Sequence, residues 1–428
     1  MSVFKLPATN RKIIFLSSLG GALEFYDFII YVFFANEFSE LFFPRHNHLV
    51  SLMSVYATFA IGYLIRPLGG MIFSHIGDTS GRKKTFVATL LLMALPTFLI
   101  GLLPTYYMIG NWAPLLLMLL RLLQGLSVGG EIPGAITFAG EHVDPKQRGL
   151  TCAIIFFGIN FGLVLGSGVS TCLSMVCSHE QILSWGWRLP FIIGGLLGVV
   201  SFYLRKQLTE TPIFRDFQSQ AHNKQVSFPI WEVLCRYRMQ LFQGIALTWL
   251  DAVIVCLLFL YLPTYLTSIL HYPKETINII NTITLVLNSI MLVVLGWLSD
   301  HFGRRKFLII GALIFIVFGY GFFYLLAQQQ IINVVIVMTI VALCSACITG
   351  IYTCTIIELF PTAVRYTGMA LSYNIGFAFF GGLTPLIATS LISFTGNILS
   401  PSFYLMVSAT ICLIGAATLK NKHRQALI

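Results

Sequence analysis

Long apolar stretches separated by short polar intervals run along almost the whole chain. A helix needs about 20 mainly apolar residues to cross a bilayer, and the stretches are of that order. They occupy residues 12–38, 50–74, 84–105, 112–140, 149–177, 187–207, 239–268, 275–298, 306–327, 331–357, 366–395 and 399–419. The pattern predicts an all-α integral membrane protein with 12 transmembrane helices, because a helix satisfies its own backbone hydrogen bonds in hydrocarbon.

Composition excludes an ordinary soluble domain. Of the 428 residues, 57% are hydrophobic and only 10% are charged, whereas soluble domains carry roughly 25% charged residues. The first apolar stretch is long, carries acidic residues and is followed by no small-residue cleavage site. We therefore expect a retained span there rather than a cleavable signal peptide.

The net charge of +10 indicates membrane topology rather than nucleic-acid binding. With twelve crossings, most basic residues fall in intervals on the same side as both termini, and only Arg45, Arg188 and Lys274 fall on the other side. Basic residues favour the cytoplasmic side of a membrane. We expect a multi-pass protein of the inner (cytoplasmic) membrane with both termini in the cytoplasm, and we expect a monomer.

The nine cysteines are scattered, mostly within the apolar stretches. Cys344 and Cys347 form a CxxC sequence, but it lies inside a predicted span and has no second pair. Small polarisable packing residues explain this pattern best. We expect neither a structural disulfide nor a metal site.

An internal repeat divides the chain into two halves. The long polar interval from Arg205 to Arg238 separates six spans from six, which predicts an N-terminal six-helix bundle over 1–207, a cytoplasmic linker over 208–238 and a C-terminal six-helix bundle over 239–428. SHIGDTSGRKK corresponds to GWLSDHFGRRK, EHVDPKQRG to ELFPTAVRYTG, and NFG at 160–162 to NIG at 374–376. A duplicated, pseudo-twofold membrane bundle is expected to bind its substrate between the halves and to work by alternating access.

Six ionisable residues fall near the middle of predicted spans, as judged from the helical rise of 1.5 Å per residue. They are Glu24, Asp27, Arg66, Arg121, Glu131 and Asp251. Each costs at least a few kcal/mol if it faces lipid, so we expect these side chains to face a central cavity or to pair with one another.

The acidic pair in GALEFYDF suggests proton coupling. Glu24 and Asp27 are three residues apart and therefore share a helix face. Burial and like-charge repulsion raise one carboxyl pKa while a nearby cation lowers the other, as a proton carrier requires. Arg66 is the candidate ligand for a substrate carboxylate. The alternative explanation is that these residues form static ion pairs. For Arg121 with Glu131, and for the lone acid Asp251, this structural explanation is about as good as the functional one.

Four further residues are candidates for lining the substrate pocket. Asn160 and Asn374 are amides at equivalent positions of the two repeats. Tyr26 and Trp249 offer aromatic surface, although packing explains most aromatic residues in so aromatic a chain. Glycines in LSVGGEIPG and LVLGSG favour close helix packing.

The two basic loops are candidates for conformational gates. In each loop an acid and a glycine precede three cations: Asp78, Gly81 and Arg82 in the first half, and Asp300, Gly303 and Arg304 in the second. Glycine permits a tight turn, and each Asp is able to bond the following Arg or a neighbouring helix N-terminus. The alternative is a basic anchor with no switching role.

Taken together, these motifs resemble those of the major facilitator superfamily along the full length of the chain. Within it, the chain is most similar to the metabolite:proton symporter family, which includes transporters of proline and glycine betaine, citrate, 2-oxoglutarate and shikimate. The strings that carry the resemblance are ALEFYDF at 22–28, RPLGG at 66–70, GDTSGRKK at 77–84, RLLQGLSVGGE at 121–131, GWRLPF at 186–191, ETPIF at 210–214 and ELFPTAVRYTG at 358–368.

The resemblance implies import of a small metabolite driven by the proton-motive force, with no other cofactor. It implies that Asp78, Gly81 and Arg82 form a gate, and that Arg121 and Gln124 belong to an RxxQG element tied to proton coupling. The loops depart from the family pattern at Ser74, Thr79 and His301, which leaves the Asp and Arg of each gate in place.

The residues leave the substrate open. Two arginines suit a cargo with at least one carboxylate, because an Arg fork binds carboxylate through two hydrogen bonds. We favour an organic acid or polycarboxylate. The alternatives are a proline- or glycine betaine-type zwitterion, an unusual cargo such as a citrate-derived chelator, or a proton-coupled exporter. A metabolite sensor is disfavoured because the chain has no sizeable cytoplasmic domain, and an enzyme because HExxH, GxSxG and paired metal-ligand motifs are lacking.

Overall fold

The computed structural model describes residues 8–44, 48–80, 82–206 and 229–419, and this part of the chain is helical throughout apart from its connections. Eight helices are long and apolar enough to cross a bilayer, and two bent helix pairs and two shorter apolar helices accompany them. Together they match the predicted spans in number and order. We label the resulting transmembrane units α1 to α12.

The first bundle consists of six units. They are α1 (Ala8–Phe33, followed by the short helix Ala35–Phe42), α2 (His48–Leu64 and Arg66–Ser80), α3 (Arg82–Leu102), α4 (Trp112–His142), α5 (Arg148–Val176) and α6 (Arg188–Lys206). The second bundle consists of α7 (Arg238–Val253, continued by Ile254–Tyr261, Leu262–Thr264 and Tyr265–Ile269), α8 (Lys274–Phe302), α9 (Arg304–Ala327), α10 (Ile331–Thr349 and Tyr352–Leu359), α11 (Arg365–Ile375, Gly376–Gly381 and Thr384–Thr395) and α12 (Pro401–Ala417).

Most of the predicted linker, 207–228, lies outside the described residues. Its last part is the short helix Pro229–Arg236, which buries Val233 and exposes Trp231 and Arg236. The division at 207 and 238 therefore stays a prediction.

Proline interrupts α2 in the middle of the membrane. The helix breaks at Ile65, directly before Arg66 and Pro67. Pro67 has no N–H to donate to the carbonyl of Tyr63 four residues earlier, and its ring disfavours helical backbone in the residue before it. The break lies between Tyr63 and Arg66, two residues that face the centre of the molecule.

Glycines bring α2 and α4 into close contact beside this break. A Cβ atom at Gly125 would overlap the carbonyl oxygen of Gly62, and one at Gly129 would overlap that of Arg66. Only glycine allows the two backbones to approach this closely. The RxxQG and GG sequences of α4 thus determine how near Arg66 and Arg121 lie to each other.

The bundles meet mainly along two helix pairs, α5 with α8 and α2 with α11. By the internal repeat, α8 is the counterpart of α2, and α11 is the counterpart of α5. The two contact lines are therefore equivalent under the pseudo-twofold relation. In α7 and α11, wide π-helical turns follow residues 253 and 375, a feature that is frequent at functional sites.

Candidate functional site

Arg66 lies at the centre of the bundle interface inside a ring of aromatic side chains, which we call the Arg66 cage. Its guanidinium carbon lies 4.8 Å from the ring centroid of Tyr63, 5.3 Å from Phe377, 5.4 Å from Tyr373 and 5.8 Å from Phe28. Phe28 and Tyr63 belong to the first bundle, whereas Tyr373 and Phe377 belong to the second. The cage is thus built from both halves of the protein.

The guanidinium of Arg66 is fully buried, and its three nitrogens have no hydrogen-bond partner among the described residues. Arginine carries five N–H donors, and a buried donor without an acceptor is costly. The aromatic faces compensate in part through cation–π attraction. The arrangement leaves all the donors available for a ligand that carries a carboxylate.

Arg121 has a different environment on the neighbouring helix α4. Its Nη1 donates to the carbonyl of Phe28 at 2.9 Å and to the side-chain oxygen of Gln124 at 2.8 Å. Gln124 in turn donates to the hydroxyl of Thr97 in α3 at 2.8 Å. The RxxQ element therefore ties α4 to α1 and α3, and it leaves Nε and Nη2 of Arg121 without partners in the described part of the chain.

Asp27 and Tyr26 face α6 rather than the second bundle. Tyr26 donates a hydrogen bond to the carbonyl of Pro190 at 3.1 Å. The carboxylate of Asp27 lies against Gly194 and Gly198, and a Cβ atom at Gly194 would overlap it. No nitrogen of Arg66 bonds an acceptor among the described residues, so no hydrogen bond joins Asp27 to Arg66.

Asp251 is fully buried in α7, and neither of its carboxylate oxygens accepts a hydrogen bond of regular geometry from a described residue. The side chains of Thr349 and Tyr352 in α10 face it. Tyr352 also lies within electrostatic reach of Tyr373 and Arg66. Tyr352 therefore interacts both with Asp251 and with members of the Arg66 cage.

The two predicted amides both join the bundles. Asn160 in α5 donates to Asn288 in α8 at 2.7 Å, and Asn288 donates to Ser345 in α10 at 2.7 Å. Asn374 in α11 donates to the carbonyl of Gly129 in α4 at 2.6 Å. Both amides therefore bridge the bundles, but their partners are not equivalent, because the counterpart of α8 is α2 whereas Asn374 bonds α4.

Two remaining candidates, Glu131 and Trp249, belong to α4 and α7. Glu131 is buried in α4. Trp249 is partly exposed and stacks on Phe380, with ring centroids 3.4 Å apart. The side chains predicted for the first gate and the first acid lie outside those that the structure describes: Glu24, Asp78, Gly81 and Arg82.

The second gate is described in full. Asp300, at the end of α8, accepts bonds from the backbone N–H groups of Gly149 and Leu150, both at 2.9 Å, and from Arg304 at 3.2 Å. The carboxylate therefore lies at the N-terminus of α5, where the helix dipole favours negative charge. Gly303, with φ of 89°, makes the turn between α8 and α9 that directs Arg304 back toward Asp300.

Four charged residues that sequence reasoning did not assign to the site connect the bundles at this face. Arg148 lies 2.9 Å from Glu358, and Arg365 lies 2.9 Å from Glu141. We call these four residues the cytoplasmic latch, after the predicted orientation. The signal for it was present in the sequence, since each repeat carries a Glu and an Arg seven residues apart. Each Arg pairs with the Glu of the other repeat.

The opposite face is also bridged, but by weaker contacts. Lys274 lies 3.6 Å from Glu37 and is 53% exposed, whereas the latch side chains are at most 9% exposed. Tyr56 donates to Thr264 at 3.3 Å. The described contacts therefore join the bundles at both faces around the Arg66 cage.

Comparisons with known proteins identify the family. The profile of the Major Facilitator Superfamily matches residues 14–273, and that of the Sugar (and other) transporter family matches residues 215–425. The chain belongs to the major facilitator superfamily. It is a multi-pass secondary transporter that carries a small molecule, not an enzyme.

The curated relatives are named for small zwitterions. The chain is 36% identical to the Proline/betaine transporter of Escherichia coli (strain K12), over 97% of this chain and 85% of the relative. It is also 36% identical to the Glycine betaine/proline/ectoine/pipecolic acid transporter OusA of Dickeya dadantii (strain 3937), over 97% and 84%. These relatives favour the zwitterion alternative over the organic acid that we preferred from sequence.

Solved structures confirm the fold. The proton:xylose symporter XylE bound to 6-bromo-6-deoxy-D-glucose superposes with a TM-score of 0.80 over 98% of this chain and 97% of that protein. Its sequence identity is 16%, so the likeness is one of architecture: twelve helices in two six-helix bundles.

Proposed function

We propose that the protein takes up a small zwitterion of the proline and glycine betaine class together with protons. The observation that carries the proposal is the Arg66 cage, a buried guanidinium without hydrogen-bond partners among the described residues and surrounded by aromatic rings from both bundles. The names of the relatives point to the same class of cargo.

The cage matches both ends of such a molecule. The carboxylate of the zwitterion bonds the fork of Arg66 through two N–H groups. Its secondary or quaternary ammonium is attracted to the faces of aromatic rings, and Tyr63, Tyr373 and Phe377 present such faces. One small molecule thereby accepts hydrogen bonds from Arg66 and also contacts the aromatic rings of the cage.

A polycarboxylate matches the cage less well. Arg121 already donates Nη1 to Phe28 and Gln124, so Arg66 is the single described guanidinium here with every nitrogen available. Further carboxylates of a citrate-like molecule would meet aromatic faces, which carry negative potential. Desolvating those charges without a cation is costly. This physical reason agrees with the relatives in favouring the zwitterion.

Alternating access follows from the arrangement of the contacts. A cargo at Arg66 touches both bundles and draws them together, and the contacts at the two faces then open in turn. The basic loops orient the latch toward the cytoplasm. Because the bridge of Lys274 with Glu37 is long and solvent-exposed on its Lys side, we infer that the outer face opens more readily than the buried latch.

The test is uptake into proteoliposomes that contain the purified protein and an alkaline interior. Labelled proline, glycine betaine, citrate, 2-oxoglutarate and shikimate are compared side by side, with and without a protonophore. We expect proline or glycine betaine to accumulate above equilibrium and the protonophore to abolish this accumulation. Accumulation of citrate or 2-oxoglutarate without either zwitterion would overturn the proposal.

A further inference from the structure

Asp251 is a buried carboxyl group near the Arg66 cage. Binding of the zwitterion by Arg66 and the aromatic rings assigns no role to it. It is fully buried, and no described residue forms an ion pair with it or a regular hydrogen bond to its carboxylate oxygens. Burial of an ionised carboxylate without such partners is strongly unfavourable. In this closed arrangement an ionised Asp251 therefore needs compensation, either by a bound proton or by a positive charge nearby.

Among the described residues, its immediate surroundings contain groups that donate or accept protons, and no cation forms an ion pair with it. Tyr352 of α10, Cys256 of α7 and Cys412 of α12 are the titratable groups that face it, and Thr349 contributes a hydroxyl. All are neutral in their ordinary protonation states near neutral pH. Among the described residues, the hydroxyls of Thr349 and Tyr352 are the groups that favour the ionised carboxylate, and both are uncharged, which distinguishes Asp251 from the ion-paired carboxylates of the latch.

Tyr352 links Asp251 to the bundle interface. Its ring packs edge-to-face on Phe156 of the first bundle, with centroids 5.4 Å apart. Its hydroxyl faces Asp251, and the residue also lies within electrostatic reach of Tyr373 and Arg66. When the bundles separate on either side, this contact opens, and water then gains a path to the carboxylate.

We propose that Asp251 carries the coupling proton, resting on the proposed zwitterion transport. From the outer side, a proton from water binds the carboxylate and forms a neutral carboxylic acid. The loaded carrier closes only when the substrate carboxylate neutralises Arg66 and the proton neutralises Asp251, because either charge alone would be buried without compensation. The empty carrier closes with both charges present, since the positive Arg66 and the negative Asp251 both act on Tyr352 and offset each other there. On opening to the cytoplasm, the acid returns its proton to water and the carboxylate remains.

The experiment compares wild type with Asp251→Asn, which mimics the protonated acid, and with Asp251→Glu, which keeps a titratable group. Three readouts use the same proteoliposomes: accumulation driven by a pH gradient, substrate-linked alkalinisation of the medium, and exchange of external labelled zwitterion for internal unlabelled zwitterion. Exchange needs no proton release, since the carrier cycles in its protonated form. Asp27→Asn is run in parallel as the rival carboxylate.

For Asp251→Asn we expect accumulation and alkalinisation to fall at least tenfold while exchange remains within about twofold of wild type and loses its dependence on pH. Asp251→Glu should restore part of the accumulation. Accumulation and proton movement that persist in Asp251→Asn would overturn the proposal. The proposal would also be overturned if Asp251→Asn lost exchange while Asp27→Asn lost accumulation and alkalinisation but kept exchange. If wild type accumulates no zwitterion, the proposed function fails, which is a distinct result.

Discussion

Nη1 of Arg148 in the first bundle lies 2.9 Å from Oε1 of Glu358 in the second, and both side chains are almost completely buried. The internal repeat produces the matching pair, Arg365 with Glu141. Each repeat therefore supplies one cation and one anion, and neither pair forms unless the two bundles meet. This reciprocal exchange of charges makes the latch specific to the state in which the two bundles are closed at this face.

Weakening the latch should open that face. Glu141→Gln leaves the guanidinium of Arg365 buried without its carboxylate, a change that costs about 3–5 kcal/mol at buried pairs. We expect faster alkylation of Cys152 and Cys354, which are fully buried beside the latch, by a membrane-permeant maleimide. Cys235 is exposed and should react equally in both proteins.

The matched control for this variant is Glu232→Gln, because Glu232 pairs with Arg236 on the exposed helix of the linker at 3.9 Å. That change should leave the alkylation of Cys152 and Cys354 as in wild type. Equal rates in Glu141→Gln and wild type would show that the latch does not hold the closed state.

The ring of Tyr373 should matter more than its hydroxyl. Tyr373→Phe keeps an aromatic face toward the substrate, whereas Tyr373→Leu removes it. Cation–π attraction of about 0.5–2 kcal/mol corresponds to roughly 2- to 30-fold in affinity. We expect KM for glycine betaine to rise in that range in Tyr373→Leu and to change little in Tyr373→Phe. Equal KM values for the two variants would remove this ring from substrate recognition.

Substrate analogues separate the two ends of the cargo. 3,3-Dimethylbutyrate keeps the carboxylate of glycine betaine but replaces the ammonium with an uncharged carbon, and choline keeps the ammonium but lacks the carboxylate. Competition against labelled glycine betaine uptake should be weak for 3,3-dimethylbutyrate and weaker still for choline, since Arg66 supplies charge-assisted hydrogen bonds. Competition by citrate as strong as that by proline would contradict recognition of a zwitterion.

Asn288 should contribute more to stability than Asn160, the residue that donates a hydrogen bond to it. Its amide donates to Ala342 at 3.0 Å and to Ser345 at 2.7 Å, and it accepts from Asn160 at 2.7 Å. Asn288→Ala removes three buried hydrogen bonds, whereas Asn160→Ala removes one, and each is worth roughly 0.5–1.5 kcal/mol. Thermal unfolding in detergent should show the larger loss for Asn288→Ala, and no loss for Gln330→Ala at an exposed position. The reverse order would contradict this hydrogen-bond assignment.

The sequence predicts the fold well because apolar length and the positions of basic loops depend on local composition. Arg66 also stands out in the sequence, as an isolated cation in an apolar stretch, and the structure buries it at the bundle interface. The sequence does not predict which side chains meet across the interface between the bundles. Asp27 and Arg66 were expected in the same central layer because of their depth, and depth says nothing of rotation about the helix axis. In the structure the Asp27 carboxylate lies against Gly194 and Gly198 of α6.

Substrate class was the least predictable feature. Counting charges in the central layer favoured an organic acid, because two arginines appeared equally available. In the structure Arg121 is engaged by Phe28 and Gln124, and only Arg66 of the two keeps all its nitrogens open among the described residues. That difference arises from the packing of α1, α3 and α4, which no single stretch of sequence reveals.

The most direct test of the central claim is equilibrium binding of glycine betaine to purified wild type, Arg66→Ala and Arg66→Lys, with Arg236→Ala as a control at an exposed arginine. Loss of a two-bond contact to carboxylate corresponds to roughly 3 kcal/mol, or about 100-fold in Kd. We predict at least that loss for Arg66→Ala, an intermediate loss for Arg66→Lys, which keeps charge but lacks the fork, and none for Arg236→Ala. Unchanged Kd in folded Arg66→Ala protein would contradict the assignment of the Arg66 cage as the substrate site.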